Sequence, residues 1–560
     1  MSVVLSEHLP LLASASDGIQ KLRGLILELA VRGKLVPQDP ADEPASKLLE
    51  QIAQEKARLE TEGTCKKSKV KPTVSENERP FHLPDNWRWV RLGHFCLLEM
   101  GQSPSSEHYN QLGDGIPFFQ GKADFGAKYP TARYWCTEPT KYADNGDVLL
   151  SVRAPVGPTN VAQYRCCIGR GLAALRPLGG VPTEYLLLVV QARRTALEML
   201  ATGTTFVAVS KSDIEPFLVP VPPLAEQHRI VAKVAELMAL CDRLEAEQAD
   251  AASAHARLVE TLLGTLIQNT NASDFATNWQ RLAEHFNTLF ATEASIEVLK
   301  QTILQLAVMG KLVPQDPNDE PASELLKQIK QERARLEAEG VFKQSKPLPP
   351  VGEKEQPFVL PDGWEWVKVG SIAVIRGGKR LPAGHNYSPV PTEHIYIQVT
   401  NMKNGTILRD DLKYIDEVTY AEIARYTIST DDLYVTIAGT IGQVGCVPQS
   451  FDGMNLTENA AKLSFSHLDR LGLRMILSSP YVKIQFLDKA NQQAQPKLAL
   501  RNIADTVIAL PPKDEQQRIV AKVDELMALC DHLKADLVTA QQMQAALADT
   551  LIESALEAAW

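Results

Sequence analysis

The sequence predicts an α+β protein with two mixed α/β domains, separated and bridged by long antiparallel coiled-coil helices, in a pseudo-two-fold internal repeat. The first observation behind this prediction is a Pro-rich stretch that occurs twice, as KLVPQDPADEPAS at Lys34–Ser46 and as KLVPQDPNDEPAS at Lys311–Ser323. The second is that each copy precedes a divergent segment of short apolar runs broken by Gly and Pro, a pattern typical of strands. The third is the long amphipathic helical pattern that follows each divergent segment.

The repeat extends well beyond this stretch. Gly18–Pro40 aligns with Ser295–Pro317, and Phe81–Gly93 aligns with Phe358–Gly370 at the same offset. After the divergent inserts, the segments that begin at Pro222 and Pro511 align again, at a larger offset because the second insert is longer. Two near-identical frames around different inserts predict a pseudosymmetric scaffold that carries two modules, each of which recognises a different target.

These alignments suggest domain boundaries. We expect an N-terminal helical frame at 1–63, a linker at 64–79, a first mixed α/β domain at 80–222, a central helical region with the second frame copy at 223–340, a linker at 341–356, a second mixed α/β domain at 357–511 and a C-terminal helix at 512–560.

The helix after each insert carries a stripe whose positions alternate at spacings of four and three, which is the seam of a coiled coil. The predicted seam positions are Ile230, Val234, Leu237, Cys241, Leu244, Gln248, Ala251, His255, Leu258 and Leu262, and in the second copy Ile519, Val523, Leu526, Cys530, Leu533, Leu537, Ala540, Gln544, Leu547 and Leu551. Cys241 and Cys530 lie on this seam, so we interpret them as buried small apolar residues. Bundle packing without a coiled-coil rod is the alternative.

Each frame also contains a W-x-W motif, Trp87/Trp89 and Trp364/Trp366. Exposed indole rings could stack on nucleic-acid bases. Alternate residues of a strand, however, face the same side and can pack together in a core. The recurrence of the motif at one frame position favours packing.

Composition limits the protein class. A chain of 560 residues is too long for one ordinary core, so several structural units are expected. The sequence has no apolar run long enough for a membrane span and no signal-peptide pattern at its start, which predicts a cytoplasmic protein without membrane contact. Eight cysteines without a C-x-x-C predict neither a zinc site nor a disulfide framework.

Motifs for chemistry are missing as well. An adenine methyltransferase would need an Asn- or Asp-Pro-Pro-aromatic motif, and a translocating ATPase would need a phosphate-binding G-x-x-x-x-G-K-[ST] loop. The D-x-K triplet at Asp411–Lys413 is too common to indicate a nuclease. We therefore expect no catalytic residue, bound metal or cofactor in this chain.

The motifs at the insert boundaries resemble a known family. LPDNWRWVRLG and LPDGWEWVKVG are similar to the opening of a target recognition domain, and VPPLAEQHRIVAKV and LPPKDEQQRIVAKV to its closing motif. Together they resemble the DNA-specificity (S) subunit of Type I restriction–modification systems over nearly the whole chain.

This resemblance implies that each variable domain reads one half of a split, asymmetric site in double-stranded DNA. It further implies that the helical regions bind two methyltransferase (modification) subunits, that restriction/translocase subunits join them, and that S-adenosylmethionine, ATP and Mg belong to those partners. A two-armed protein-binding adaptor, and a specificity subunit of a modification-only or fused system, stay open as alternatives.

Charge is compatible with DNA binding despite a formal net charge of −10. Residues 79–222 contain 14 basic and 12 acidic side chains and residues 357–511 contain 15 of each, so the frame carries the acidity. Arg or Lys suits guanine and Asn or Gln suits adenine. By residue type and turn context, the candidate DNA-binding residues are Gln120, Lys122, Arg133, Tyr134, Arg153 and Lys211 in the first insert, and Arg376, Lys379, Arg380, Gln398, Asn401, Lys403 and Gln443 in the second. For any one of them, a solvated surface residue is the plainer interpretation.

Overall fold

The structure is a computed structural model that describes residues 15, 17–63, 73–201, 208–268, 272–340, 347–491 and 496–557. Much of each predicted linker, 64–72 and 341–346, lies outside the described residues. The chain forms two compact units. Unit 1 comprises Met1–Ala251 with Ala540–Trp560, and unit 2 comprises Ala252–Thr539. Each unit therefore combines one frame copy and one insert with a part of each of two long helices.

Unit 1 holds the first frame copy and the first insert. Its helices are α1 (Gly18–Val31), α2 (Ala45–Thr61), α3 (Leu92–Phe95), α4 (Thr183–Ala192), α5 (Arg194–Ala201), α6 (Lys211–Ile214) and the first half of α7 (Leu224–Gln268). Its strands are β1 (Arg88–Arg91), β2 (Cys96–Met100), β3 (Tyr109–Asn110), β4 (Ile116–Phe119), β5 (Tyr134–Cys136), β6 (Tyr142–Ala143), β7 (Val148–Ser151), β8 (Thr159–Val161), β9 (Cys166–Ile168), β10 (Leu172–Pro177) and β11 (Leu218–Val221).

Unit 2 repeats this plan. Its helices are the second half of α7, then α8 (Ala272–Glu284), α9 (Phe286–Leu289), α10 (Glu293–Val308), α11 (Ala322–Ala338), α12 (Val369–Ile372), α13 (Glu417–Ile423), α14 (Arg470–Ser478), α15 (Pro480–Ala490), α16 (Leu500–Ala504) and the first part of α17 (Lys513–Glu557), whose last turns belong to unit 1. Its strands are β12 (Glu365–Lys368), β13 (Ala373–Gly377), β14 (His394–Ile397), β15 (Met402–Lys403), β16 (Thr406–Ile407), β17 (Lys413–Ile415), β18 (Thr427–Ile428), β19 (Leu433–Thr436), β20 (Val444–Cys446), β21 (Met454–Leu456), β22 (Ala460–Phe465) and β23 (Val507–Leu510).

The two inserts share one topology although their sequences differ. In unit 1 a four-stranded sheet runs β2-β10-β7-β8 and a five-stranded sheet runs β3-β5-β4-β9-β6. Unit 2 has the matching sheets β13-β22-β19-β20 and β17-β14-β21-β18. In each second sheet one strand pair is parallel, β4 with β9 and β14 with β21. Unit 2 adds the β15–β16 hairpin and α13, which account for part of its greater length.

Both ends of each insert meet in a short antiparallel ribbon. β1 pairs with β11, with Trp89 opposite Pro220, and β12 pairs with β23, with Trp366 opposite Ala509. The insert therefore leaves and rejoins the frame at neighbouring points. A module attached in this way can change its sequence without moving the helices that carry it.

The frame of each unit packs one copy of the repeat against both long helices. In unit 1, Lys34 donates to the carbonyl of Leu556 at 2.8 Å, close to the end of α17. The equivalent Lys311 of unit 2 donates to the carbonyl of Ile267 at 2.6 Å, at the end of α7. This confirms the predicted fold class of two mixed α/β domains with long helices in an internal repeat.

The predicted seam is confirmed along the first half of each long helix and wrong along the second half. Ile230 and Cys241 are buried, whereas every side chain from Glu245 to Ala254 is exposed, and Leu258 is 51% exposed. The buried positions that follow are Val259, Leu263 and Leu266, and α17 shifts likewise to Ala548 and Ala555. A straight helix drifts from a strict heptad repeat by about 20° per heptad. The stripe thus leaves the core in mid-helix, and the far half packs in the other unit on another face.

The predictions for the frame's Trp and Cys residues are confirmed. Trp87, Trp89 and Trp364 are buried, Trp366 is half-buried against the core of unit 2, and Cys241 and Cys530 are buried in the two main cores. In the described part of the chain, no helix combines the length and the apolar character that a membrane crossing would need.

Candidate nucleic-acid interface

A buried hydrogen-bond network fixes each insert to its frame. The Glu226 carboxylate, 1% exposed at the start of α7, accepts from the Trp87 indole N–H at 2.9 Å and from the Gln38 side-chain amide at 2.6 Å. In unit 2, Glu515 accepts from Trp364 at 2.8 Å. Burial raises the pKa of both carboxyls. The network joins the repeated turn, the W-x-W strand and the long helix.

An ion pair adds a second link between the repeated turn and the long helix. Arg229 donates both terminal nitrogens to Asp42 at 3.2 and 2.6 Å, and Arg518 does the same to Asp319 at 3.0 and 2.5 Å. Bidentate pairs of this kind fix geometry as well as adding energy. Gln38 and Asp42 both lie in the duplicated Pro-rich stretch, so its recurrence reflects the same packing turn built twice.

Three loops converge at one end of the parallel strand pair in unit 1. Gly169, after β9, donates its N–H to the carbonyl of Phe119 at the end of β4, and Gln102, after β2, donates to Ile168. A Cβ at Gly101 would collide with the carbonyl oxygen of Gly169. Each of the three loops carries one exposed polar side chain next to this contact. We call this set the loop rim of unit 1, and its residues are Gln102, Gln120 and Arg170.

The same convergence occurs in unit 2. Thr457 donates its N–H to Ile397 at the end of β14, and Lys379 donates to Leu456. Gly378 repeats the role of Gly101, because a Cβ there would collide with the carbonyl oxygen of Thr457. The loop rim of unit 2 consists of Lys379 and Arg380, which are exposed, and Gln398, which is half-buried.

Polar contacts hold each rim in place. In unit 2 the Arg380 guanidinium donates to Glu458 at 2.9 Å, and the hydroxyl of the buried Tyr396 donates to the carbonyl of Lys379 at 2.7 Å. Burial raises the pKa of Glu458, but hydrogen bonds from Arg380, Thr457 and Tyr396 together outweigh it and leave the pKa lowered. In unit 1 the Arg170 N–H donates to the Ser103 hydroxyl at 3.3 Å.

The structure brings several candidates of the first insert together. Gln120 and Lys122 are exposed in the turn after β4, and Arg133 pairs there with the buried Asp124 at 2.5 Å. Asp124 also accepts the backbone N–H of Gln120 at 2.7 Å. The exposed Arg153 follows Val152, whose N–H donates to the carbonyl of Gly171 beside the rim.

Two candidates of the first insert have different surroundings. Tyr134 is half-buried in β5, where its ring packs edge-on against Tyr109 at a centroid distance of 5.8 Å. Lys211 lies in α6, where it donates to the carbonyl of Leu98 at 3.3 Å and pairs with Glu215. Neither side chain belongs to the rim.

Among the candidates of the second insert, Asn401 is corrected by the structure. Its side chain is fully buried, accepts the Gln398 N–H at 3.0 Å and donates to the carbonyl of Asp410 at 2.6 Å. Both polar atoms are used internally, so Asn401 positions the turn and is not available to a base. Asp124 occupies the corresponding place in unit 1, although the two sequences around these residues differ.

The other candidates of the second insert are more widely spread. Lys403 is exposed in β15 and Gln443 is exposed just before β20. Arg376 lies in β13 and lines a cleft of about 500 Å³ with Arg333, Arg425 and Lys462. The IRGGKR motif is thus divided, with Arg376 in the cleft and Lys379 and Arg380 in the rim.

Sequence reasoning missed two rim residues and the groups that position the rims. Gln102 and Arg170 follow Gly101 and Gly169, and the same glycine-flanked signal that marked IRGGKR could have identified them. Asp124 and Glu458 act through contacts that only the folded chain creates. No cluster of three or more His, Cys, Asp or Glu side chains that could hold a metal ion occurs in the ranges the structure describes.

Comparison with known proteins places the chain in a family. A family model described as Type I restriction modification DNA specificity domain matches residues 84–252 and 361–539. The specificity subunits of the Type I restriction enzymes EcoAI and EcoEI from Escherichia coli are 38% and 37% identical to this chain, each over 96% of it and 94% of the relative.

Two solved structures are also similar in part. A chain from a study of complex assembly of the type I R-M system is 44% identical over 38% of this chain and 52% of that chain, with a TM-score of 0.30. The HsdS subunit from Thermoanaerobacter tengcongensis is 37% identical over 44% and 52%, with a TM-score of 0.28. TM-scores this low have no bearing on the fold. The family match and the near full-length relatives show that this chain belongs to the family of Type I restriction–modification DNA specificity subunits.

Proposed function

We propose that this chain selects DNA for a Type I complex by reading the two halves of a split, asymmetric site, one with each insert domain. The observation that carries the proposal is the pairing of one shared backbone plan with different exposed side chains. The two frames hold the two domains by equivalent contacts. The rims carry different side chains, which would give the two domains preferences for different DNA sequences. The domain boundaries at 80–222 and 357–511 are part of this proposal.

DNA contact outside the bases needs positive charge near the phosphates. In unit 2 the cleft with Arg376 and Arg425 lies next to the rim and suits a phosphate. In unit 1, β2 carries Glu99 at the place of Arg376, and Glu99 pairs with Lys141. Neither insert is strongly basic, so the chain alone should bind DNA weakly and depend on partner subunits for affinity.

The frame supports a proposal for those partners. Exposed residues of the repeated turn are identical in the two copies, as in Pro40 and Pro317, and so are exposed residues of the long helices, as in Glu236 and Glu525. Core packing explains identity at buried positions but not at exposed ones. Two identical surfaces suit two copies of one partner, which we propose to be the methyltransferase subunit, with restriction/translocase subunits joining the complex. Native mass spectrometry of the complex should give two methyltransferase subunits for each copy of this chain.

The chain would then perform no chemistry of its own. We propose that S-adenosylmethionine, ATP and Mg bind to the partner subunits, and that the assembled complex works in the cytoplasm. Each domain would place a methyltransferase over an adenine in its half-site, and the partner would flip and methylate that adenine.

The experiment that tests this function is a single-base map of adenine methylation in host DNA with and without the gene. We expect one split, asymmetric motif with a fixed gap to disappear when the gene is deleted. Survival of every motif, in a host whose methyltransferase subunit co-purifies with the chain, would contradict the proposal and favour the protein-binding adaptor.

A further inference from the structure

The loop rims occupy equivalent places but present different side chains. Gln120 and Gln398 both follow the inner parallel strand, β4 or β14, and their N–H groups are held by Asp124 and Asn401. After β2 and β13 the equivalent residues are Gln102 and Lys379. The rims therefore share a Gln after the inner parallel strand and differ at the residue after β2 or β13.

The rims also present an Arg from different loops. Arg170 follows β9 in unit 1, whereas the equivalent residue in unit 2 is Glu458. The Arg of unit 2 is Arg380, from the loop after β13, and it is held by Glu458 at 2.9 Å. Each rim thus pairs the Gln after its inner parallel strand with one Arg, and the two Arg residues come from opposite sides of the loop contact; the third rim residue is Gln102 in unit 1 and Lys379 in unit 2.

From this arrangement we infer that the rims are the base-reading surfaces, with Gln120 and Gln398 each contacting an adenine and Arg170 and Arg380 each contacting a guanine. This inference rests on the proposed function. The Gln side-chain amide matches the adenine N6 donor and N7 acceptor, and the Arg guanidinium matches the guanine O6 and N7 acceptors. The Gln398 amide donates one N–H to the Tyr387 hydroxyl at 3.0 Å, which leaves its second N–H and its oxygen for the base. Because the Arg comes from a different loop in each unit, the two bases lie in a different order in the two halves. Asp124, Asn401 and Glu458 are positioning residues.

Glycine makes this reading geometry possible. At Gly101 and Gly378 the loops touch backbone to backbone, so the backbone positions from which the neighbouring polar side chains project are fixed. Readout of a base edge needs such placement, because a misplaced donor loses its hydrogen bond.

Single-alanine variants of Gln120, Arg170, Arg380 and Gln398 test the inference in the complex with its methyltransferase. In each variant we expect one position of one half-site to accept other bases, with discrimination at that position reduced roughly 5- to 150-fold in a methylation map. The other half-site should stay unchanged, and its retention in the same variant reports that the chain folds and assembles.

Arg165→Ala and Lys483→Ala are matched controls. Arg165 lies just before β9, at the opposite end of the strand from Arg170, and Lys483 is exposed on α15. Both controls should leave the motif intact. An unchanged motif in all four rim variants, with the wild-type motif present, would overturn the rim assignment alone. Absence of any split motif with the wild-type chain would overturn the proposed function as well.

Discussion

The two units of this chain differ where the frame ends and the rims begin. Their frames repeat the same buried hydrogen bond, Trp87–Glu226 in unit 1 and Trp364–Glu515 in unit 2, and their inserts share the order of the central strands in both sheets. At the rims, however, Gln102 corresponds to Lys379 and Arg170 to Glu458. One scaffold can therefore be kept for assembly while a few exposed side chains set the DNA specificity.

Removing the network carboxylate should have the largest effect. Glu226→Ala leaves the buried Trp87 indole N–H without an acceptor, so we expect a loss of about 2–4 kcal/mol in the free energy of unfolding, measured by chemical denaturation. Glu515→Ala should cost a similar amount in unit 2, since the network is repeated there.

The control for this pair is Glu236→Ala on the exposed face of α7, where a change within about 0.5 kcal/mol is expected. A large loss of unfolding free energy for one of the two variants and none for the other would contradict the equivalence of the two frames.

Adding a methyl group between the loops should have the next largest effect. Gly378→Ala and Gly101→Ala place a Cβ against backbone carbonyls, and overpacking of this kind typically costs about 1–3 kcal/mol. We expect each variant to lose recognition of its own half-site in a methylation map. Gly121→Ala meets nothing within 4 Å and should be neutral; equal losses in all three variants would contradict the role of the close approach.

The pH dependence of the unfolding free energy tests whether the Glu226 and Glu515 carboxyls titrate in the same way. Burial raises the pKa of Glu226 and Glu515 above the ordinary 4.5, so both hold their protons to higher pH in the folded state than in the unfolded state. Their contribution to stability is full below pH 4.5 and is lost as the pH rises through the raised pKa. Glu226→Gln with Glu515→Gln should therefore flatten the fall in unfolding free energy above pH 4.5, relative to an otherwise identical chain with Glu236→Gln. A parallel pH profile for the two chains would show that these carboxyls do not titrate as inferred.

The smallest effect is expected at the turn after β4. Asp124→Asn gives unit 1 the amide that unit 2 has in Asn401, keeps an acceptor for the Gln120 N–H and loses the charge opposite Arg133. Because the Arg133 side chain is 55% exposed, it can turn to solvent when the charge is lost, so we expect only a small change in the free energy of unfolding. Asp124→Leu, which also removes the acceptor, should cost more, and equal unfolding free energies for these two variants would exclude the backbone contact as the reason for the residue.

The frame could be predicted from the sequence because its signals are local or repeated. The duplicated turn, the long helices and the W-x-W strands all leave a pattern in neighbouring residues. The far half of the seam could not be predicted, since the face that Val259 and Leu263 bury depends on the neighbouring helices of unit 2. A heptad template continued past Leu244 selects the wrong face.

The site was predictable only in part. Residue type and turn context identified four residues that lie in the rims, which are Gln120, Lys379, Arg380 and Gln398. The same criteria selected Asn401, which is buried because its amide meets the carbonyl of Asp410 across a turn that only the folded chain forms. The shared strand order of the inserts was also hidden, because strand pairing depends on alternating apolar positions that many sequences satisfy.

If each insert domain reads its own half-site on an equivalent frame, exchanging the domains should exchange the half-sites. This can be tested with a chimera in which residues 357–511 replace residues 80–222, expressed with the methyltransferase subunit and mapped for adenine methylation at single-base resolution. We predict that the half-site read by the second domain then appears in both halves of the motif and that the other half-site disappears. Persistence of the original half-site in the chimera would contradict the claim, because its recognition would then come from outside the replaced domain.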